Sequence, residues 1–576
     1  MARIRKIEIA NFRGIQDLVW CPTPGINCLI GPGDSGKSTV LDAIDFCLGA
    51  RRNVQISDAD FFELDIAKPI SITLTLGDLN DTLSALENFG TFLRGFNPST
   101  GVVEDEPGIG IEVVLSLNLT IASDLEPSWT LVSTRAAQQG LVKSLAWKDR
   151  LALAPTRIGA LAEHNLGWQR GSVLNRISEE RADASAALVS AARDARNAFG
   201  DQADNQLGQA LTVVNTTANE LGVEIGAKAR ALLDSHSVSF GGGTISLHNH
   251  AGIPLRGMGV GSTRLLVAGL QRKAASQSSI VLSDELEYGL EPHRIARFLG
   301  SLGAKEAAPM QAFLSTHSPI ALRELSGGQL FVVRRIGQRH EIRAVGTDND
   351  IQSTIRLFPE AFLARSVIVC EGASEVGLLR GLDLDRIDKG GISLAAQGVA
   401  IVDCGGGEPD RPYARAAVFQ SLGYRVMVVR DDDKKPTPAI EQAFLKCGGE
   451  VVAYLSGRAL EDELFGSLTP AACQNLINYA HELHGDVIHE HLRSASSNTL
   501  TFQAVWNEIQ STGALSTPSR AFLGQAARIR RAGWFKSISW MEHAARTIVA
   551  PDLVHCDQGF TALVNRVFFW AGHVPS

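Results

Sequence analysis

Apolar and polar positions alternate strictly through Ile70-Ser71-Ile72-Thr73-Leu74-Thr75-Leu76, which predicts a strand with one buried face. Ile111-Glu112-Val113-Val114-Leu115-Ser116-Leu117 and Trp129-Thr130-Leu131-Val132 add further strands. Near the start, Ile4, Ile7 and Ile9 lead through Asn11-Phe12-Arg13-Gly14-Ile15 to Val19-Trp20, two strands around a turn. The texture changes near 155. Between about 172 and 235 the chain is rich in Ala, Arg, Asp, Glu and Gln, and Leu174, Ile177, Ala184, Leu188 and Ala191 recur at helical spacing. After Gly241-Gly242-Gly243 the α/β texture returns, with apolar runs at Ile280-Val281-Leu282 and Ala312-Phe313-Leu314. Beyond about 358 three more apolar strands, Ser366–Cys370, Ala400–Cys404 and Arg425–Val429, are separated by helical stretches. Strand–helix alternation of this kind predicts a parallel sheet. Residues 470–576 are mainly helical by pattern.

Composition narrows the class. At 576 residues the chain has room for about three or four domains. Its 45% hydrophobic and 20% charged residues are ordinary for a folded soluble protein. A net charge of −8 excludes a basic coat for nucleic acid, so any such binding must come from local patches. The eight cysteines contain no C-x-x-C pair, which argues against a zinc ribbon and a disulfide framework. Met1-Ala2-Arg3-Ile4-Arg5-Lys6 reads as a strand and not as a signal peptide, and no apolar run is long enough to span a bilayer. The expectation is a cytoplasmic protein with no membrane partner.

The first chemical motif is Gly31-Pro32-Gly33-Asp34-Ser35-Gly36-Lys37-Ser38-Thr39, set between the apolar run Ile26–Ile30 and a helical pattern. Strand, glycine loop and helix with G-x-x-x-x-G-K-S spacing form a phosphate cradle. Successive backbone N–H groups wrap phosphate oxygens, Lys37 reaches the β/γ-phosphates and Ser38 holds Mg²⁺. Arg51-Arg52 form a small basic spot after that helix, or simply its solvated end. A second glycine loop, Gly257-Met258-Gly259-Val260-Gly261-Ser262, precedes a helix. Ile280–Ser283 ends in Asp284-Glu285, and Ala312–Ser315 ends in Thr316-His317-Ser318. As one machine, Asp284 holds the Mg²⁺ water shell, Glu285 polarises the attacking water and His317 contacts the γ-phosphate. Gly259 and Ser262 belong to the loop with which a partner subunit would cap the nucleotide.

The second centre gathers acids at strand ends. Glu371-Gly372 follows the first late strand, with Glu375 one helical turn on, and Asp431-Asp432-Asp433 follows the third. In a parallel sheet the strand C-termini form one functional edge. Crowded carboxylates there repel unless they share cations, and Mg²⁺ suits a few carboxylates with water and phosphate. Further on, Leu460-Glu461-Asp462-Glu463-Leu464 opens a helix; Glu461 and Glu463 are candidates for a second cation site, against the alternative of an exposed acidic helix start. Arg528-Ile529-Arg530-Arg531-Ala532-Gly533-Trp534-Phe535-Lys536 mixes cations with aromatics, which fits either a phosphate backbone or a basic helix end over a core Trp-Phe pair.

The ordered set in the first half resembles the ABC-type ATPases of the DNA-repair and chromosome-maintenance branch, and Ile9–Ile15 looks like the start of that branch. The pattern hhhhEG…hhhhxDxD resembles the Toprim fold of topoisomerases, primases and certain nucleases. Together they resemble the OLD (overcoming lysogenization defect) nuclease family over nearly the whole chain; the nuclease subunit of Gabija-type phage defence shares the layout and length. The resemblance implies an α/β fold. An ABC-type ATPase domain (1–160 and 239–357) carries a helical insert (161–238), and a Toprim core (358–470) and C-terminal helices (471–576) follow. The insert mediates dimerisation or packs on its own domain.

The resemblance also implies roles. Glu371 acts in acid–base chemistry or metal binding, Asp431 and Asp433 bind Mg²⁺ (or Mn²⁺ or Ca²⁺), and Lys536 stabilises the cleavage transition state. ATP is bound between two heads, so a homodimer or homotetramer is expected, with DNA as substrate, anti-phage defence as setting and a neighbouring helicase-like protein as a possible partner. Two positions depart from the family. Leu286 stands where a proline is usual, and Gly289-Leu290-Glu291-Pro292 replaces a histidine-containing turn, so the hydrolysis rate is more open than nucleotide binding. The rivals are a Toprim topoisomerase or primase, for which neither a tyrosine context nor a zinc motif is present, and a non-enzymatic ATP-driven DNA clamp.

Overall fold

Alternation in the N-terminal third becomes an antiparallel sheet in the computed structural model. It describes residues 2–573 apart from 51–53, 160–161, 168–171, 178–205, 234–244, 275–279, 307–309, 456 and 530–531. The chain divides into two units, Met1–Pro359 and Glu360–Ser576.

In the first unit the strands are β1 Arg3–Phe12, β2 Ile15–Trp20, β3 Ile26–Ile30, β4 Ile70–Gly77, β5 Arg94–Asn97, β6 Val102–Glu104, β7 Glu112–Ile121, β8 Pro127–Val132 and β9 Thr156–Arg157. After them come β10 Arg230–Leu233, β11 Ile245–His248, β12 Ile280–Ser283, β13 Gln311–Ser315, β14 Leu330–Ile336 and β15 Arg339–Ala344. One sheet runs β2-β1-β4-β7-β5-β6, with β8 also on β7. Ile70, Ile72 and Leu74 of β4 turn into the same core as Ile7 and Ile9 of β1, so the alternation read from sequence is the inner face.

The second sheet is ordered β15-β14-β3-β13-β12-β9. Strands β14, β3, β13, β12 and β9 are parallel. β3 and β13 are buried at every position, as a parallel strand covered on both faces requires. Parallel pairing fixes the edge at which β3, β12 and β13 end, so the loops after Ile30, Ser283 and Ser315 meet there.

Of the helical insert expected over 161–238, residues 161, 168–171, 178–205 and 234–238 lie outside the described residues, as does the Arg51-Arg52 spot. Its described helix Gly208–Leu221 packs on the helix Val260–Lys273 of its own unit. A Cβ at Gly269 would lie 2.5 Å from Thr217 Cγ2 and 2.6 Å from Leu221 Cδ1, so glycine is what permits the approach.

In the second unit β16 Ser366–Cys370, β17 Val399–Asp403, β18 Arg425–Arg430 and β19 Glu450–Ala453 form an all-parallel sheet ordered β17-β16-β18-β19. Helices fill the rest to the C-terminus, among them Leu460–Ser467, Pro470–His484, Val487–Ala495, Thr517–Ala527 and Ile538–Ala544. The sheet and these helices share one core containing Ile368, Met427, Leu464, Leu476, Trp534 and Met541. Each such fully buried side chain contributes roughly 1.5–3 kcal/mol. No helix among the described residues is long and apolar enough to cross a membrane.

Candidate active site

The second unit builds its cleft from the ends of β16 and β18. Register pairs Cys370 with Val429, so the chain leaves both strands at one level and Glu371 stands beside Asp431. The Asp431 N–H donates to Glu371 Oε2 at 3.1 Å. Gly372 then starts the helix Ala373–Asp388, and Glu375 folds back to accept the Gly372 N–H at 2.8 Å. Asp431 accepts the Leu460 N–H at 2.9 Å, which ties the start of the helix Leu460–Ser467 to the same edge. Glu461, the next residue, is buried and its Oε1 has no hydrogen-bond partner.

Glu371, Glu375, Asp431, Asp433 and Glu461 therefore line one cleft of about 790 Å³, together with Lys536 and Arg528. Its floor includes the turn Gly405-Gly406-Gly407 after β17, where φ is +74°, +67° and +108°. Only glycine adopts three such conformations in a row without strain, and the turn leaves bare backbone facing the cleft.

The electrostatics follow from this crowding. Burial, then repulsion by Glu371, Glu461 and Asp433, pushes Asp431 up to about 8. Burial raises Glu371 despite the Asp431 N–H, with Asp433 adding repulsion. Glu375 is driven well above the carboxylate range by burial and then by Asp431. Glu461 is raised by burial, opposed by the nearby Lys536 cation. A buried carboxylate oxygen without a partner, inside a set of mutually repelling acids, is the donor set a hard divalent cation fits.

Not every predicted residue reaches the cleft. Glu463 is fully buried and turned away: its carboxylate takes the Leu455 N–H at 3.0 Å, and Arg458 and Ser467 complete it. Two residues apart on a helix means about 200° of rotation, so Glu461 and Glu463 cannot face one site. Asp432 is likewise structural, held by Arg430 at 3.0 Å and by the Gly457 N–H at 2.9 Å. Asp433 reaches the cleft but is paired with Arg528 at 2.7 Å, and Arg528 also meets Asp462 at 3.2 Å.

The Arg528–Lys536 stretch divides by residue. Trp534 and Phe535 are core, with no exposed surface, and Lys536 is exposed to the cleft. Gly533 makes room for it: a Cβ there would lie 2.6 Å from Lys536 Cγ. Arg530 and Arg531 lie outside the described residues. Arg528 as partner of Asp433 and the Gly405–Gly407 floor were not assigned from sequence. Three glycines directly after a strand of a parallel sheet are the signal that marks the floor.

In the first unit the loop Gly31–Thr39 joins β3 to the helix Lys37–Leu48. Gly31 (φ +131°) and Gly36 (φ +90°) take conformations that need glycine, and a Cβ on Gly31 would lie 2.7 Å from Val333 O. Nothing lies within 4 Å of where a Gly33 Cβ would be, so the backbone there is open to an incoming group. Asp34 also takes a positive φ, of 58°. Lys37 donates to Pro32 O at 2.7 Å and Gly31 O at 3.2 Å, and burial lowers its pKa. Ser35 is near enough to share it, at 3.4 Å.

Ser38 donates to Asp284 Oδ1 at 3.1 Å, which joins the two expected Mg²⁺ ligands. Ser315 donates to the same carboxylate, and its Oγ accepts the Glu285 N–H at 2.8 Å. Glu285 is exposed, with φ +44°. Glu287, not assigned from sequence, accepts the His317 N–H at 2.8 Å and Thr316 Oγ1 at 2.6 Å, fixing the turn that displays His317. Gly259 caps the helix Val260–Lys273, and Ser262 accepts from Arg294 at 2.8 Å. Both family departures have a local cause. Leu286 donates its N–H to Ser315 O at 3.0 Å, a bond proline lacks. Gly289 (φ +72°) faces Gly261, where a Cβ would lie 2.0 Å from Gly289 O.

The first unit is thus an α/β module with a glycine loop between strand and helix, and the second a parallel-sheet module with an acidic edge. Residues 26–323, just over half of the chain, match the family described as "AAA domain, putative AbiEii toxin, Type IV TA system", and the chain belongs to that family. Residues 362–433 match "Overcoming lysogenization defect protein-like, TOPRIM domain". The chain is 44% identical over 45 residues to the DNA replication and repair protein RecF of Prosthecochloris aestuarii, covering 8% of this chain and 12% of that one. It is 32% identical over 75 residues to the OLD nuclease of Thermus scotoductus, covering 12% and 14%. The matches therefore span only a small part of these relatives' length. Among solved structures, the Smc head domain bound to the C-terminal domain of ScpA derived from Pyrococcus furiosus aligns over 60% of this chain and 96% of that one, at 14% identity and a TM-score of 0.37. The SMC head domain from Thermotoga maritima aligns over 60% and 100%, at 14% identity and a TM-score of 0.29. An AAA ATPase domain paired with an OLD-like TOPRIM domain supports the OLD nuclease family and a nuclease in general.

Proposed function

We propose that the protein is a DNA endonuclease of the OLD type, dependent on a divalent cation and regulated by nucleotide. The observation that carries this is the cleft itself. Three separate chain segments deliver Glu371 and Glu375, Asp431 and Asp433, and Glu461 to one sheet edge, with Lys536 beside them. Glu371, Asp431 and Glu461 would hold the cations, with Glu375 beneath them and Asp433 at the rim. When bound, such cations activate water and neutralise charge on a phosphodiester. Glu371, half-buried with its pKa raised, is placed to take a proton. Lys536 directs an ammonium towards the phosphate, and the Gly405–Gly407 floor admits a backbone without side-chain obstruction.

In the first unit Gly31–Thr39 would cradle ATP phosphates, Ser38 and Asp284 hold the accompanying Mg²⁺, Glu285 orient water and His317 reach the γ-phosphate. Gly259 and Ser262 would act on a nucleotide held by a second copy, which makes a homodimer or homotetramer the working form. Family resemblance extends the reading to anti-phage defence of the Gabija kind. Incubation of supercoiled plasmid with purified protein and Mg²⁺ or Mn²⁺ tests the central claim. Wild type should convert plasmid to nicked or linear form, and Asp431→Ala should fall to background. Equal products from both proteins would overturn the nuclease reading.

A further inference from the structure

Four of the chain's 14 histidines fall within residues 481–491. They lie at the junction of the helices Pro470–His484 and Val487–Ala495, in the second unit. Gly485, with φ +61°, reverses the chain there, so the last turn of one helix and the first turn of the next share a face. His481 comes from the first helix, Asp486 caps the second and His489 sits in its first turn. His481 Nε2 is 3.1 Å from Asp486 Oδ1, and the rings of His481 and His489 are 5.9 Å apart. One ligand atom from each of the three lies within 4.8 Å of the others.

We propose that His481, Asp486 and His489 form a binding site for a zinc-class transition-metal ion, separate from the acidic cleft. Ligand atoms about 2.0–2.1 Å from a tetrahedral ion are roughly 3.3 Å apart, and rotation of the exposed His481 and Asp486 side chains towards His489 covers the difference. Two imidazoles and one carboxylate select Zn²⁺, Ni²⁺ or Cu²⁺ over Mg²⁺ and Ca²⁺, which favour all-oxygen sets. Three protein ligands leave a fourth position for water. His489 also packs against Phe502, with ring centroids 4.8 Å apart, which restricts one imidazole in advance.

The other two histidines of the cluster show what such an ion would brace. His484 Nε2 lies 2.9 Å from Trp534 O, and the Trp534 indole N–H donates to His491 Nδ1 at 3.1 Å. The two helices thus grip a fully buried tryptophan two residues before Lys536. An ion that pins their junction would stiffen the segment that presents Lys536 to the cleft.

The test is Zn²⁺ titration of the full chain by calorimetry, in millimolar Mg²⁺ so that the carboxylate cleft is occupied. Wild type should bind one Zn²⁺ more than the His481→Ala/His489→Ala double variant. Loss of even an outer-shell partner weakens metal sites roughly 10–100-fold, so loss of two ligands should weaken uptake by at least that much. Zn²⁺ should also raise the melting temperature of wild type and leave that of the double variant unmoved. The single variant Asp486→Asn, exposed and away from the core, should weaken binding with an unchanged metal-free melt. Equal Zn²⁺ stoichiometry and affinity in wild type and both variants would overturn the site. Asp431→Ala should retain this Zn²⁺, so failure of the nuclease reading leaves the result independent.

Discussion

Glu461 shows how a single residue can be costly and useful at once. Its carboxylate is buried with one oxygen unpartnered, and Asp431 and Glu375 are buried beside it in mutual repulsion. These acids hold their protons in the folded protein to a higher pH than in the unfolded chain. Burial and repulsion by Glu371, Glu461 and Asp433 push Asp431 up to about 8 when folded, against an ordinary value of 3.8. Between those values the native state binds protons that the unfolded chain has released, so stability falls as pH rises through that window. Thermal melts of metal-free protein should therefore drop from pH 5 to pH 8 by more in wild type than in Asp431→Asn. Mg²⁺ should restore wild type at pH 8 and do little for the variant. A pH profile identical in the two proteins would show that Asp431 is not under this strain. The sequence made Glu371, Asp431 and Asp433 legible because strand C-termini of a parallel sheet must share an edge. It left Glu461 and Glu463 unseparated, although two residues on a helix face opposite ways. The Arg528–Asp433 pair was not legible, since it joins residues 95 apart through tertiary packing alone.

At the scale of elements, the helix Ala373–Asp388 does two jobs. Its first turn carries Glu375, and its length packs on the helix Ile538–Ala544 and the turn beyond. Gly377 and Gly381 make that packing possible. A Cβ at Gly377 would lie 2.6 Å from Ile538 O, and one at Gly381 would lie 2.3 Å from Glu542 O and 2.5 Å from Ala545 Cβ. Backbone atoms cannot yield as a flexible side chain does, so the helices must part. Gly381→Leu should destabilise the unit by about 1–3 kcal/mol or more, read as a lower denaturation midpoint. Since the same helix holds Glu375, Mg²⁺ protection against melting should weaken with it. A variant as stable as wild type would mean that the helices separate at little cost. Strands were the legible elements here: period-two alternation gave β4, and short, largely apolar runs gave β3, β13 and β16. This glycine pair, four apart on a helix, was not read, because glycine spacing acquires meaning only once the facing helix is known.

At the scale of the molecule, each unit builds its own chemistry. Every cleft residue from Glu371 to Lys536 lies within Glu360–Ser576, and every nucleotide candidate from Gly31 to His317 lies within Met1–Pro359. The two chemistries should therefore separate by mutation. Lys37 sits inside the glycine loop with its ammonium on loop carbonyls, and on the proposed reading its removal takes away the charge that would face the β/γ-phosphates. Lys37→Ala should lose nucleotide binding by fluorescent-ATP titration while keeping nucleotide-free plasmid cleavage at the wild-type level. Asp431→Ala should show the reverse, with ATP binding intact and cleavage lost. If nucleotide governs cutting, ATP should change the wild-type rate, in either direction, and leave the Lys37→Ala rate unmoved. A Lys37→Ala protein whose cleavage still responds to ATP would place the regulatory nucleotide elsewhere. One that loses cleavage without nucleotide present would show that the loop serves the fold of the first unit before it serves ATP.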